Sequence, residues 1–131
     1  MKLSNGIIEA LIQRTPEKVG PLARLSSERM NVQAALKVRG VARALAGPHA
    51  DFIGVRDTLL AEYGTDGSIS PQHERWTEFL PHYAELLNTE VAVEVEPLAV
   101  DDLWRRGEDE TRVPLDLSPD EIDLLGPLLA A

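Results

Sequence analysis

The sequence has 131 residues, of which 44% are hydrophobic and 27% are charged, as is usual for a globular chain that buries a core. It contains no cysteine, which excludes disulfide bonds, thiol catalysis and zinc–thiolate sites. The formal net charge of -9 disfavours binding to nucleic acid or to anionic membranes. The sequence contains no run of about 18 apolar residues, so no membrane span is predicted.

A short first helix is predicted near the amino terminus, beginning at Ser4 or Asn5 and ending at Thr15-Pro16. Its apolar residues share one face at helical spacing: Ile7, Ile8, Leu11 and Ile12. Residues 17–30 read as an irregular connector. Two leucines of this connector are candidates to cover the core, Leu22 and Leu25.

One long helix from Asn31 to Tyr63 is the central prediction. Its apolar residues recur mostly at gaps of three and four, which places them on one stripe. Asn31 is the candidate N-cap, and Gly64 lies where a left-handed C-cap is expected. Gly47-Pro48 interrupts the pattern, because an interior proline removes one backbone donor and crowds the preceding turn. Two alternatives stay open: one bent helix, or two shorter helices joined near residues 46–49.

A second helix is predicted to start at Ser70-Pro71, where a capping hydroxyl precedes a proline at the first helical position. Its apolar face follows at near-ideal spacing: Trp76, Phe79, Leu80, Tyr83, Leu86 and Leu87. Pro81 is expected to bend or divide this helix. Since only a short turn separates the two helices, we expect an antiparallel hairpin whose facing stripes form the main core.

After Asn88 the hydrophobic period changes from that of a helix to that of a strand. Alternating valines predict a strand over 91–95, and a second alternating run over 113–117 predicts its partner. Residues 101–106 between them are compatible with one helical turn. Ser118-Pro119-Asp120-Glu121 is a capping box that predicts a carboxy-terminal helix. The leucines after it are available to a partner unless the tail folds back: Leu124, Leu125 and Leu128.

The predicted fold is therefore α+β and mainly α. It consists of an antiparallel pair of long helices with a short N-terminal helix, a small two-stranded β ribbon and a C-terminal helix. We expect a single domain over residues 1–131. Within it, 1–30 form the first helix and connector, 31–88 the helical hairpin, and 89–131 the ribbon and last helix.

Charge is divided unevenly along the chain. Residues 1–45 hold eight Lys or Arg and three Glu, a balance of +5, whereas residues 46–131 hold five Arg and nineteen Asp or Glu, a balance of -14. One interpretation is that the basic part packs beside the acidic remainder of the same chain. The other is that copies meet head to tail, or that the acidic end binds a basic partner.

The sequence offers few residues for chemistry. Of its three histidines, only His82 has a carboxylate at a spacing that shares a helix face, Glu85, and a metal ion needs further ligands. Neighbouring acids such as Asp101-Asp102 fall in loops without the apolar surroundings that acid–base catalysis requires. No nucleophile has a companion base, and no phosphate-binding loop is present. We predict no catalytic residue, no metal ligand and no cofactor, and hence a protein that is not an enzyme.

Trp104-Arg105-Arg106 has a composition that is common in interface hot spots. The alternative is a tryptophan that covers the core while its arginines lie in water. Together with the three leucines named above, Trp104, Arg105 and Arg106 are the candidate partner-binding residues.

Five segments carry a resemblance to a known group: Leu3–Leu11, Ala35–Arg39, Arg56–Gly64, Glu85–Val91 and Leu117–Ile122. They resemble a family of small, uncharacterised, helical tailed-bacteriophage proteins of about this length. The resemblance implies a phage origin and supplies no catalytic residue.

Two non-enzymatic hypotheses about function follow, beside a third, an enzyme whose site has no recognisable pattern. The first is a non-enzymatic phage protein that acts through contacts with other phage or host proteins, as a component of the virion or of its assembly. It would be located in the virion or in the host cytoplasm. The alternative is an acidic inhibitor that binds a basic surface of a bacterial nuclease, polymerase or defence complex. Neither hypothesis involves nucleic-acid or membrane binding.

Overall fold

Helices dominate the computed structural model, which describes residues 1–28, 30, 32–99 and 117–129, and the backbone of 104–106 and 112–114. The elements in chain order are β1 (Lys2–Ser4), α1 (Asn5–Ile12), α2 (Pro21–Leu25), α3 (Val32–Tyr63), α4 (Trp76–Asn88), β2 (Glu90–Ala92), β3 (Trp104–Arg106), β4 (Arg112–Pro114) and α5 (Pro119–Leu125). A 3-10 turn, Gly126–Leu128, follows α5. The predicted α+β, mainly α architecture with a long antiparallel helix pair is confirmed.

The long helix α3 runs unbroken for 32 residues through Pro48. This decides the open alternative in favour of a single helix, about 48 Å long at 1.5 Å per residue. Leu45 and Phe52 are buried on either side of Pro48, so tertiary packing holds the helix across the missing hydrogen bond.

Gly64 ends α3, but it does so without the left-handed conformation that we expected. Positive φ angles occur instead at Asp66 and Gly67, at the tip of the following turn. Gly64 is required for space, because a Cβ atom there would lie 2.3 Å from the carbonyl oxygen of Ser68. The chain reverses tightly at this point, which brings α4 back along α3.

The predicted start of the second helix at Ser70-Pro71 is wrong. Residues 70–75 form turns in which His73 N–H donates to the Ser70 carbonyl, and α4 begins only at Trp76. The His73 Nδ1 atom accepts the backbone N–H of Arg75 (3.0 Å) within this turn, and α4 begins without a side-chain cap. Pro81 lies inside α4 without dividing it.

Arg75 fastens the turn to both helices of the hairpin. Its Nη1 donates to the Glu62 carbonyl (2.8 Å) at the end of α3, and its Nε donates to the Glu78 carboxylate (2.7 Å) in α4. The guanidinium also lies 4.6 Å from the centre of the Tyr63 ring. One side chain thus satisfies a terminal carbonyl of α3 and an acidic group in the first turn of α4.

The main core lies around the first half of α3, not between the two hairpin helices as we expected. It gathers buried side chains from β1, α1, α2, the first half of α3, residues 93–98 and the tail: Leu3, Ile8, Leu11, Leu22, Leu25, Met30, Ala34, Val38, Val41, Leu45, Val93, Leu98, Leu125 and Leu128. In α4, all of which is described, Phe79 alone is buried, while Leu80 is 45% exposed and Trp76 is partly exposed. Among the described elements, α1 and α2 pack against α3 and the tail packs against α1 and α2, while α4 contacts α3 and α1.

The two ribbons are not the pair that we predicted. β1 pairs antiparallel with β2, with Leu3 opposite Val91, and β3 pairs antiparallel with β4. The expected partnership between 91–95 and 113–117 is therefore wrong, and Trp104–Arg106 forms a strand where a helical turn was expected. Alternation in a sequence identifies a strand but does not select its partner. Residues 101–103 and 107–110 lie outside the described part of the chain.

The carboxy-terminal capping box is confirmed. Ser118 Oγ accepts the Glu121 N–H (3.2 Å), and the Glu121 carboxylate accepts the Ser118 N–H (3.0 Å). Glu121 also accepts a hydrogen bond from Arg24 of α2 at 2.6 Å. Burial raises the pKa of Glu121, but the hydrogen bonds from the Ser118 backbone and from Arg24 outweigh it, so the pKa is lowered overall. This ion pair helps to fix α5 against the rest of the core.

Candidate binding groove

An open groove runs between α3 and α4 and ends beside β2. Its larger part has a volume of about 440 Å³ and its smaller part about 270 Å³, and the two parts share Val55, Leu86 and Thr89. We call this surface the hairpin groove. Its lining residues are Asn5, Gly47, Pro48, Asp51, Phe52, Val55, Leu59, His82, Glu85, Leu86, Thr89 and Val91.

The floor of the hairpin groove is apolar. Val55 and Leu59 are four residues apart on α3 and therefore lie on the same side of that helix. Leu86 of α4 lines the same floor, and Val55 is 49% exposed although it occupies the middle of the groove. A large apolar side chain that is half exposed in a concave surface is typical of a binding site.

Asn5 closes the end of the hairpin groove next to β2. Its side-chain Nδ2 donates to the Leu86 carbonyl (3.0 Å), and its backbone N–H donates to the Thr89 carbonyl (3.0 Å). The last carbonyls of a helix have no partner inside the helix, so Asn5 completes the end of α4. Asn5 is itself buried, with 6% of its surface exposed, and this end of the groove is consequently well ordered by hydrogen bonds.

The charged groups on the hairpin groove are acidic. Asp51 lies on the α3 side of the larger part and Glu85 on the α4 side of the smaller part, and both are exposed. His82 lines the smaller part and stacks on Tyr63, with ring centres 5.5 Å apart. The groove therefore combines an apolar floor with a negative charge on each of its two walls.

The structure places both members of the predicted His82–Glu85 pair on the hairpin groove. Among the described residues, no group of three His, Cys, Asp or Glu side chains lies close enough to hold a metal ion. His49 contacts Glu9 of α1 through its Nε2 atom, and its ring lies 6.0 Å from that of Phe52. Sequence spacing gave no signal for this contact, because forty residues separate the two partners.

The candidate partner-binding leucines do not form a surface. Leu125 and Leu128 are fully buried and Leu124 is partly buried, because the tail folds back onto the core. The Leu98 N–H donates to the Leu128 carbonyl at 2.7 Å and holds the tail in place. The expectation that Leu125 and Leu128 are open to a partner is thus corrected.

The other three candidates, Trp104, Arg105 and Arg106, form β3, and their side chains lie outside the described part of the chain. The residues of the hairpin groove were not singled out as a site from the sequence. They come from β1–α1, α3, α4 and β2, so only the fold brings them together. The sequence indicated this groove only indirectly, because Val55 and Leu59 belong to the predicted apolar stripe of the long helix.

Comparison of the chain with models of known protein families, with curated proteins and with solved structures gives no match. None of the helices in the described residues is long and apolar enough to cross a membrane. The described surface of this helical hairpin carries an open groove with an apolar floor and acidic side chains on its walls.

Proposed function

We propose that this protein acts by binding another protein in the hairpin groove, without catalysing a reaction, and that it serves as a component of a phage virion or of its assembly. The observation that carries the proposal is the half-exposed Val55 at the centre of a continuous apolar floor. Burial of apolar surface is the main favourable term in most protein–protein association. The sequence resemblance to tailed-bacteriophage proteins supports the phage setting.

The chemistry of the hairpin groove favours one kind of occupant. An extended or helical segment with two or three apolar side chains fits the floor formed by Val55, Leu59 and Leu86. Basic residues on both sides of that segment complement Asp51 on α3 and Glu85 on α4, whereas acidic residues there are repelled. We therefore expect the partner to present an apolar segment flanked by Lys or Arg.

Site-specific photo-crosslinking in phage-infected cells tests this proposal. A photoreactive amino acid replaces Val55 in the groove or, as a matched control, Ala84, which is exposed on α4 and does not line the groove. The proposal predicts that one protein is crosslinked from position 55 and not from position 84, through a segment of the stated composition. Identical products from both positions would contradict it.

The role in the virion has its own test. Mass spectrometry of purified particles and of assembly intermediates is expected to detect the chain in at least one of them. If the chain is absent from both while the crosslink at position 55 persists, binding in the groove stands and the assembly role is wrong.

Acidic residues around β2 favour a second candidate, an inhibitor that binds a basic surface of a host nuclease, polymerase or defence complex. Glu90, Glu94 and Glu96 are all exposed along one stretch of the chain. Such binding weakens with salt, because exposed charges are screened. A host protein retained at low salt by the native chain, and lost when these three residues are changed to Lys, would support this candidate. Equal retention by both chains would exclude it.

A further inference from the structure

The side of α3 that faces away from the core presents a regular set of exposed residues. They recur at alternating gaps of three and four, which keeps them on one side of the helix. We call this the outer face: Gln33, Leu36, Gly40, Arg43, Gly47, Ala50, Gly54, Asp57 and Ala61, all of them exposed. It lies opposite the buried stripe of α3, formed by Ala34, Val38, Val41, Leu45 and Phe52.

The outer face has little of the polar character that is usual where a helix meets water. At its beginning Leu36 is 63% exposed and the adjacent Val32 is 67% exposed. Gly40, Gly47 and Gly54 follow at intervals of seven, although glycine is among the poorest helix formers. A Cβ atom at any of these three positions would meet no described atom within 4 Å. Nothing within the described chain therefore requires glycine there.

Charge changes sign along the same helix. The first half, up to Ala46, holds three basic residues and no acidic one: Lys37, Arg39 and Arg43. The second half holds three acidic residues and one basic one: Asp51, Arg56, Asp57 and Glu62. Arg39 and Asp57 are eighteen residues apart, which is five helical turns, so they lie on the same side of α3.

Some charged residues on or beside the outer face already have contacts within the chain. Asp57 contacts Arg56 at 3.7 Å and remains 63% exposed, so it is still accessible to a second basic group. Glu94 and Glu96 line a groove together with Lys37 and with Leu36 and Gly40 of the outer face. Arg39 and Arg43 are exposed and do not line that groove.

We propose that the outer face binds the outer face of a second copy of this chain, in an antiparallel arrangement with a two-fold axis near Gly47. This arrangement sets the basic half of each helix against the acidic half of the other. Arg39 then faces Asp57 of the second copy, whereas a parallel arrangement would oppose like charges. Gly40 faces Gly54 of the second copy, and glycine allows two backbones to approach closely. A two-fold contact of this kind is self-complementary and closes at a dimer.

This interface is separate from the hairpin groove. The two surfaces share Gly47, but Val55, Leu59 and Leu86 of the groove floor are not part of the outer face. Failure of the dimer therefore leaves the proposed groove function untouched, and the reverse also holds.

Sedimentation equilibrium of the full chain at low salt tests the proposal. The native chain is expected to be dimeric at about 100 μM and to dissociate as salt rises, since screening weakens the ionic contacts. The double variant Gly40→Gln/Gly54→Gln places two bulky side chains between the helices and is expected to raise the dimer Kd at least about tenfold. Its melting temperature, measured where both chains are monomeric, should not fall, because glutamine is the better helix former. Ala84→Gln, on the exposed side of α4, is the control and should stay dimeric.

Charge exchange tests the direction of the pairing. Arg39→Glu and Asp57→Arg are each expected to weaken the dimer at least about tenfold, because each places like charges opposite one another. Both changes in one chain restore opposite charges in an antiparallel dimer, and the Kd should return to within about threefold of the native value. A native chain that is monomeric at low salt overturns the proposal. So does a Gly40→Gln/Gly54→Gln variant that dimerises normally, or a charge exchange that fails to restore association.

Discussion

Replacing Leu125 with alanine is expected to destabilise the protein severely, although this leucine lies only six residues from the end of the sequence. Its side chain is fully buried in the main core, where the tail folds back against segments from the other end of the chain. The change removes three buried carbon atoms. At about 0.8 kcal/mol for each buried methylene, the lost transfer free energy is about 2.4 kcal/mol. Incomplete collapse of the cavity raises the total to roughly 3–4 kcal/mol.

Thermal unfolding followed by circular dichroism measures this effect. For a chain of 131 residues, each 1 kcal/mol corresponds to a shift of about 3–4 °C in the midpoint. Leu125→Ala should therefore lower the midpoint by roughly 10–15 °C. Ile122→Ala is the matched control in the same helix, because Ile122 is 49% exposed. It should change stability by less than about 0.5 kcal/mol.

Equal melting temperatures for the two variants would refute this reasoning. They would mean that the tail does not pack against the core in solution, and Leu125 and Leu128 would again become candidates for binding a partner. Urea unfolding provides an independent check, since the loss should appear in the midpoint with little change in slope.

Three further predictions concern the groove, the long helix and the last helix. Asn5→Ala should cost about 1–3 kcal/mol in chemical denaturation, because the Leu86 carbonyl keeps only the longer hydrogen bond from the Thr89 N–H (3.4 Å), while Asn88→Ala at an exposed position should be nearly neutral. Pro48→Ala should stabilise the chain by about 1–3 kcal/mol, since a backbone donor is restored inside a continuous helix, and a loss of stability would show that the proline is needed. Glu121→Gln should lower stability at pH 7, and the difference from the native chain should shrink as pH falls below 4.5, the ordinary pKa of a glutamate. The lowered pKa of Glu121 means that its contribution is complete above the unfolded pKa and is lost as pH falls through the folded one.

Local signals in the sequence predicted those elements whose causes are local. The long helix extends from Val32 to Tyr63 because its stripe of apolar residues keeps the helical period over its whole length. The Ser118 capping box forms because both of its partners lie within four residues. Such features depend on few other parts of the chain, and they were found where expected.

Features set by distant contacts could not be predicted in this way. β1 pairs with a strand far along the chain, with Lys2 opposite Ala92, and three-residue strands carry too little alternation to specify a partner. α4 begins at Trp76 and not at the predicted Ser70-Pro71, because His73 and Arg75 organise the preceding turn through hydrogen bonds with backbone groups. A proline after a serine indicates a helix start only when no competing set of hydrogen bonds exists.

The hairpin groove was missed for the same reason. The apolar stripe containing Val55 was interpreted as core, since apolar residues at helical spacing are usually buried. In the structure α4 covers this stripe incompletely, and Val55 stays half exposed. The amount of cover that one helix gives another depends on where the remaining elements pack, which the hydrophobic period of a single helix does not determine.

Isothermal titration calorimetry with the crosslinked partner segment tests directly whether the partner binds in the hairpin groove. The native chain is compared with Val55→Lys in the hairpin groove and with Thr77→Lys, an exposed α4 position that does not line the groove. The same charge is added in both variants, so only the location differs. Val55→Lys is expected to weaken binding at least about tenfold, while Thr77→Lys should stay within about twofold of the native chain. Equal affinities for both variants would show that the partner binds elsewhere.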